Sequence, residues 1–247
     1  SYLASNYRKV ADFDRAADYF EKLMNEFPKY GGQKDDGSVA CDGLYNAAFF
    51  RENLGETPKA ISNYRQYAKQ CADRPDIHEV VYSIALIYEK KKDDANAIKT
   101  FDEYIKTYGA KRSPDLYLDS QVKIADITYG NGKKKEAYLK YAGVIDSYRN
   151  LVKQKTKIGS TGLGAAAKSG FYVLEPKYDD YNAIKLDNKK TLSANIKKRL
   201  TLIKPLRDSY EKVVLDYKHG EWAVAALYQI GKMSDDFVVA IKSSTRS

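Results

Sequence analysis

The sequence lacks the features that mark several classes of protein. Its 247 residues include two cysteines, two histidines, six prolines and one tryptophan. So few prolines, with only fifteen glycines, leave few breaks in regular structure. No apolar run approaches the length of a membrane span, so we expect none. No signal peptide is visible, yet the first helix is predicted from Tyr2, directly after Ser1. We therefore expect a trimmed or processed chain, and the removal of a signal peptide is one way in which it could have been processed.

Catalytic and metal-binding motifs are missing as well. His78 and His219 are far apart in sequence, and neither has the spacing of metal ligands around it. There is no GxSxG elbow, Walker loop or dinucleotide-binding fingerprint. Asp35 and Asp36 begin a fragment of a calcium loop whose later ligands are absent, so we expect an ordinary loop there. The sequence thus predicts a protein that is not an enzyme and has no cofactor or metal.

What the sequence does contain is a repeated pattern of Ala, three residues, then Phe or Tyr. The four occurrences begin at Ala16, Ala60, Ala97 and Ala137. An apolar helical segment with a small residue near its middle precedes each one. These small residues are Ala4, Ala47, Ala85 and Ala125. Two helices per repeat, with a small residue where they cross, are typical of a helical-hairpin array. The alternative interpretation is an ordinary helical bundle.

The pattern resembles the tetratricopeptide repeat over about residues 1–148. The clearest repeat runs from Asp76 to Gly109. Its packing positions are filled by Ala85, Tyr88, Ala97, Phe101 and Tyr104. The fourth repeat departs from the family at Thr128, where the family has an aromatic residue. The resemblance implies an all-α fold, a TPR-like right-handed superhelical solenoid of helical hairpins that presents a surface to a partner.

The second half of the chain has a different pattern. We expect four TPR-like hairpins over residues 1–150, and over 151–247 an atypical hairpin and a capping helix, continuous with the solenoid. The apolar spacing predicts helices over 163–185, 192–217 and 221–242. The first should be interrupted near Pro176 and the second kinked at Pro205. Terminal repeats are commonly atypical because they must cap the stack, and the polar end after Lys242 fits a frayed terminus.

Charge is uneven along the chain. Residues 1–150 hold 24 Lys or Arg and 23 Asp or Glu, whereas residues 151–247 hold 18 and 10. One basic cluster is Lys197, Lys198 and Arg199. Such a cluster is either a solvated helix face or a surface for nucleic acid, an acidic protein or anionic lipid heads. The absence of zinc-finger spacing and ribonucleoprotein motifs argues against a nucleic-acid module.

The family resemblance also implies a position for the binding site. In tetratricopeptide arrays the first helix of each repeat lines a concave face, where an extended peptide or a partner helix binds. The matching positions give a mixed apolar, aromatic and charged set: Arg51, Tyr82, Leu86, Glu89, Val122, Asp126 and Tyr129. Chaperone-binding members grip a terminal carboxylate with Lys and Asn, but the Asn positions here hold other residues. We therefore expect a peptide or helix of another kind of partner protein.

Two segments resemble proteins of the bacterial envelope. The segments RAADYFEKLMNEFP and NAIKTFDEYIKTYG resemble tetratricopeptide proteins of the Gram-negative periplasm, such as outer-membrane assembly lipoproteins. The segment GEWAVAALYQIGKMSDDF resembles envelope proteins of myxobacteria and predatory relatives, including gliding-motility components. The resemblance implies a non-enzymatic scaffold in the periplasm, possible association with the outer membrane, and a partner that is another envelope protein. The alternative is a cytoplasmic adaptor whose basic C-terminal face binds an acidic partner or nucleic acid.

The two cysteines occupy matched positions in the second repeat. Cys41 and Cys71 are each 15 residues from Glu56, which lies in the predicted turn. Residues equidistant from a hairpin turn lie side by side, so both thiols should be at the open end of this hairpin. We expect a disulfide there, which would favour an oxidising compartment. The alternative is two separate buried thiols, because Cys often behaves as a small apolar residue.

Overall fold

The computed structural model describes residues 2–31 and 37–244. The predicted loop at Asp35 and Asp36, and the last residues of the predicted frayed end, lie outside the described residues. Within them every regular element is an α-helix and there is no strand, as the repeat pattern predicts. The chain forms two compact units, divided between Tyr104 and Ile105. No helix in the described part of the chain combines the length and apolarity that a membrane span requires.

The first unit is a series of helical hairpins. Its helices are α1 (Tyr2–Lys9), α2 (Phe13–Glu26), α3 (Ser38–Asn53), α4 (Thr57–Gln70), α5 (Ile77–Lys90) and α6 (Asp94–Thr107), the last of which continues past the boundary between the units. Asp12 caps α2, because its side chain accepts a hydrogen bond from the Arg15 backbone N–H at 3.2 Å. The turn between α3 and α4 is closed by Gly55 at a φ of 80°, a left-handed conformation that glycine adopts without steric cost.

The core of the first unit is built on the repeated alanines. All six that fall in this unit are fully buried: Ala4, Ala16, Ala47, Ala60, Ala85 and Ala97. Phe20 and Phe50 fill the space beside the first three of them. The predicted disulfide is present, and it joins Cys41 near the start of α3 to Cys71 just after α4, with 6.0 Å between their Cα atoms. The predicted repeat register is therefore confirmed in this unit.

The second unit continues with helices of less regular length. They are α7 (Gly109–Arg112), α8 (Pro114–Gly130), α9 (Lys134–Lys153), α10 (Ser160–Tyr172), α11 (Glu175–Ala183), α12 (Leu192–Tyr217) and α13 (Gly220–Ser244). The bounds of α12 agree with the sequence pattern, and Pro176 lies in the first turn of α11, where its missing N–H costs nothing. The short helix α7 has no counterpart in the prediction. The division at residue 150 stays a prediction, and α9 runs through that position.

Among the described residues, two hydrophobic clusters stabilise the second unit. One lies between α8, α9 and α10, and it contains Ala125, Ala137 and Tyr141. The other lies between α10, α11, α12 and α13. In that second cluster the buried Tyr181 hydroxyl donates a hydrogen bond to the Met233 backbone carbonyl at 3.1 Å, so the ring is buried and its polar atom is satisfied.

Candidate partner-binding groove

The second unit contains an open cavity of about 360 Å³ between α8, α10 and the start of α13. Its walls are mainly charged and polar groups with the aromatic ring of Trp222, and Val122 and Ala165 also line it but are almost fully buried. Val122 and Asp126 are two of the predicted partner-binding residues, and both line this cavity. We call it the α8–α10 groove, because α8, the first helix of the fourth hairpin, and α10, the helix after that hairpin, form its two long sides.

An ion pair between α8 and α10 forms part of the wall of the α8–α10 groove. The Lys168 ammonium of α10 lies 2.5 Å from one carboxylate oxygen of Asp126 on α8, and the buried Tyr141 hydroxyl donates to the other at 2.7 Å. Burial and the neighbouring Asp126 carboxylate raise the Tyr141 pKa above its ordinary value, so Tyr141 remains a hydrogen-bond donor. Both charged side chains are about three-quarters buried. The pair is therefore held in a fixed geometry at the wall of the groove.

The Lys168 side chain also approaches two aromatic rings. Its ammonium lies 5.8 Å from the ring centre of Trp222 and 5.9 Å from that of Tyr172. The two rings contact each other with their centres 5.8 Å apart. A lysine so placed is attracted to the electron-rich faces of the rings as well as to Asp126. The wall thus presents a cation, a carboxylate and an exposed part of an indole side by side.

The start of α13 closes one side of the groove. The turn from α12 to α13 is short because Lys218 adopts a left-handed conformation, with φ at 51°. His219 follows, and its ring lies against Gly164 of α10: a Cβ atom built on that glycine would be 3.0 Å from Nε2. A larger residue at position 164 would therefore require the His219 ring to move away by a few tenths of an ångström. Among the described residues, nothing forms a hydrogen bond with the buried Nδ1 of His219.

Asp115 fixes the start of α10 beside the start of α8. Its two carboxylate oxygens accept hydrogen bonds from the Gly159 and Gly162 backbone N–H groups, at 3.0 and 2.8 Å. These donors have no partner within α10, so a carboxylate here satisfies them and interacts well with the helix dipole. The contact leaves the exposed side chains of Ser160 and Thr161 at the edge of the groove.

The remaining predicted residue of α8 has another role. Tyr129 does not line the groove. Its hydroxyl donates to the Glu175 carboxylate of α11 at 2.8 Å, and its ring contacts Tyr138 and Tyr172. Burial and this carboxylate raise the pKa of Tyr129. Lys134 also pairs with Glu175, at 3.1 Å. Tyr129 therefore ties α8 to α11.

Three predicted residues lie on α5 in the first unit. Tyr82, Leu86 and Glu89 are spaced four and three residues apart, so they share one face of the helix, and all three are half-buried. The Tyr82 ring contacts Phe101 and Tyr104 of α6, with ring centres 5.7 and 5.8 Å apart. The aromatic side chain thus packs within its own hairpin.

Arg51, also predicted to contact a partner, is only 1% exposed. Its guanidinium binds four carboxylates, those of Asp14, Asp18, Glu21 and Glu56. These contacts, led by the hydrogen bond to Glu21, raise the Arg51 pKa. The Glu21 pKa is lowered: burial opposes ionisation, but hydrogen bonds from Arg51 and from Asn63 outweigh it. Arg51 cannot reach a partner without leaving this cluster, so the family position is used here to join α2 to α3.

Sequence reasoning missed several residues of the α8–α10 groove. Lys168, His219 and Trp222 come from α10 and from the start of α13, outside the region that resembles the repeat family. Lys168 is 42 residues from its partner Asp126. No local pattern connects residues that far apart. The only local indication is the glycine pair around Leu163, which allows close approach of another element at Gly164.

Comparison with known proteins agrees with this architecture. Residues 2–30, which include α1 and α2, and residues 79–109, which include most of α5 and all of α6, match the family model of the tetratricopeptide repeat. A crystal structure of a TPR repeats protein from Bacteroides fragilis is similar, with a TM-score of 0.51 and 14% identity over 96% of this chain and 95% of that one. TPR-like repeats from Podospora anserina give a TM-score of 0.44 and 14% identity over 85% and 92%. No protein of curated function matches significantly. Two segments of the chain thus match the tetratricopeptide repeat, and the Bacteroides structure shares its fold.

Proposed function

We propose that this tetratricopeptide-repeat chain is a non-enzymatic scaffold of the bacterial cell envelope, and that it binds a segment of a partner protein in the α8–α10 groove. Tetratricopeptide repeats are protein-interaction scaffolds, which supports the general role. The observation that carries the specific proposal is the groove itself. It is open, about 360 Å³ in volume, and lined by apolar, aromatic and charged groups in fixed positions.

The groove offers a partner segment two kinds of contact. The partly exposed Trp222 ring provides apolar surface for one side chain of the partner, whereas Val122 and Ala165 are almost fully buried. The Asp126–Lys168 pair provides a carboxylate and an ammonium whose remaining hydrogen-bonding capacity can meet backbone amide groups of an extended chain. An apolar anchor beside a few oriented polar groups is the usual composition of a peptide-recognition site. We therefore expect a short segment with one large apolar residue to bind.

The proposed compartment is the periplasm. The Cys41–Cys71 disulfide supports it, because disulfides persist in oxidising compartments and are rare in the cytoplasm. The resemblance of the first and third repeats to periplasmic tetratricopeptide proteins supports it as well. We further propose that the partner is another protein of the envelope.

Site-specific photocrosslinking tests the binding site. A photoreactive phenylalanine analogue replaces Thr161, which is exposed at the groove edge, and in a control chain it replaces Leu139, which is 76% exposed on α9. We expect a discrete adduct from position 161 and none of that mass from 139. The crosslinked segment is then synthesised, and its affinity for the wild type and for Lys168→Ala is measured by calorimetry. The same adduct from both positions, or equal affinity for both chains, would contradict the proposal.

A further inference from the structure

The charge of the molecule divides at the boundary between its two units. The first unit, up to Tyr104, contains 15 Lys or Arg and 18 Asp or Glu. The second, from Ile105, contains 27 and 15. The second unit therefore carries an excess of twelve positive charges, whereas the first is slightly acidic. So large an excess on one folded unit favours a partner of high negative charge.

The N-terminal half of α12 concentrates free cations. Lys197, Lys198 and Lys204 are exposed, and within the described residues no carboxylate forms an ion pair with any of them. Further along the same helix, Arg207 is instead neutralised by Glu211 at 3.4 Å. The three ammonium groups can therefore bind an external anion.

Apolar side chains accompany these lysines. Leu202 is 39% exposed although it lies in a well-formed helix, and Leu200, which is 52% exposed, lies on the opposite side of that helix. Leu202 also lines a second cavity, of about 310 Å³, between α11 and α12. Pro205 and Leu206 complete its mainly apolar floor, and the polar groups at its edge come from Lys177, Asp180 and Ser209. We call this cavity the α11–α12 cleft.

One of these lysines, Lys198, lies on the same face of α12 as the apolar residues of the cleft. Lys198, Leu202, Pro205 and Ser209 are spaced four, three and four residues apart, so they form one stripe along α12. Lys198 thus lies one turn before the leucine of the cleft, and Lys177 of α11 lies across it. Asp179 and Asp180 are the acidic residues beside Lys177 on α11. An apolar cleft with lysines on both sides fits a ligand that is apolar at one end and anionic at the other.

We propose that the face formed by α11 and the first half of α12 binds the surface of an anionic lipid bilayer. Lys198 and Lys177 contact phosphate headgroups, Leu202 enters the acyl boundary, and the α11–α12 cleft receives an apolar chain. A nucleic acid would use the lysines but not Leu202 or the apolar floor. A short acidic peptide would need only a local cluster, whereas the positive excess extends over a whole unit. This face is separate from the α8–α10 groove, so the inference does not depend on the proposed function.

Vesicle sedimentation tests this inference. The full chain is mixed with vesicles of phosphatidylglycerol and phosphatidylcholine, or of phosphatidylcholine alone, at 0.1 M salt. The test variant is Lys198→Ser with Leu202→Ser. The chain offers a matched control in Lys135→Ser with Leu139→Ser, which removes the same two exposed residue types, also four positions apart, from α9 of the same unit. Far-ultraviolet circular dichroism establishes that both variants fold.

We expect the wild type to bind only the anionic vesicles, the test variant to bind them at least about fivefold more weakly, and the control to bind like the wild type. Millimolar inorganic phosphate should not displace the protein. Absence of vesicle binding, or an equal loss in both variants, would refute the inference. Displacement by phosphate would also refute it, because that result would indicate a site for a small anion. So would a Leu202→Ser variant that binds both an oligonucleotide and the anionic vesicles as well as the wild type does.

Discussion

Replacing Arg51 with methionine tests whether the buried arginine cluster stabilises the first unit. Methionine preserves much of the side-chain length but removes the charge and the donors. Asp14 and Asp18 are more than half exposed, so water can replace the arginine there and each contact contributes less than about 1 kcal/mol. Glu21 is only 24% exposed and receives two hydrogen bonds from Arg51, at 2.8 and 3.0 Å. Losing charge-assisted bonds to a buried carboxylate costs about 1.5–3 kcal/mol.

We therefore expect Arg51→Met to lower the free energy of unfolding of the first unit by about 3 kcal/mol at pH 7, because four carboxylates also lose their common cation. The difference should narrow on acidification. The Glu21 pKa lies below its ordinary 4.5 in the folded chain, so its stabilising contribution is complete above that value and disappears as the pH falls through the lowered pKa. At low pH the wild type therefore loses the stabilisation from the ionised Glu21, whereas Arg51→Met lacks most of that stabilisation at any pH.

Hydrogen exchange measured by mass spectrometry gives the local free energy of opening for α2 and α3. The matched control is Arg65→Met, which removes an arginine of the same unit that is 36% exposed and binds Glu103 at 2.7 Å. We expect the control to cost less than about 1 kcal/mol. A loss below about 1 kcal/mol for Arg51→Met, or a difference between wild type and variant that widens at low pH, would refute the reasoning.

Three further predictions follow from the packing and the crosslink. Ala97→Leu should overpack a fully buried position and destabilise the first unit by about 1–3 kcal/mol in urea unfolding, whereas a neutral result would mean a different register. Serine at both Cys41 and Cys71 should cost about 3–4 kcal/mol by the chain-entropy model, and thiol titration of the denatured, unreduced wild type should find no free thiol. Asp115→Ala should increase amide exchange at the start of α10, since two N–H groups lose their acceptor; unchanged exchange there would contradict the capping role.

Much of the fold could be predicted because the repeat places identical demands on positions far apart in the chain. A small residue is needed wherever two helices cross closely, and all eight predicted alanines are fully buried. The disulfide was predictable because a hairpin turn relates Cys41 to Cys71 by simple counting. The short helix α7 was not predictable, since its four residues, Gly-Ala-Lys-Arg, have no apolar periodicity.

The site was less predictable because a family position predicts which way a side chain points but not which residues surround it. Arg51 occupies a groove position, but acidic residues on the neighbouring α2 draw it into the interior. That outcome depends on contacts 30 to 37 residues apart. Likewise the ion pair of Asp126 with Lys168 depends on a helix beyond the repeats, where the sequence gives no register. Periodicity determines which face of a helix is buried, whereas the charges on other helices determine what a polar residue does there.

The disulfide of the second hairpin also determines how tension would pass through the chain. A pull applied between α2 and α5 would travel from Cys41 directly to Cys71, whose Cα atoms are 6.0 Å apart. The 30 residue steps between them would carry no load. Extended, that segment would add roughly 100 Å of contour length, so the oxidised chain would release about that much less when stretched than the reduced chain. The second hairpin would therefore remain closed under forces that open the uncrosslinked hairpins on either side.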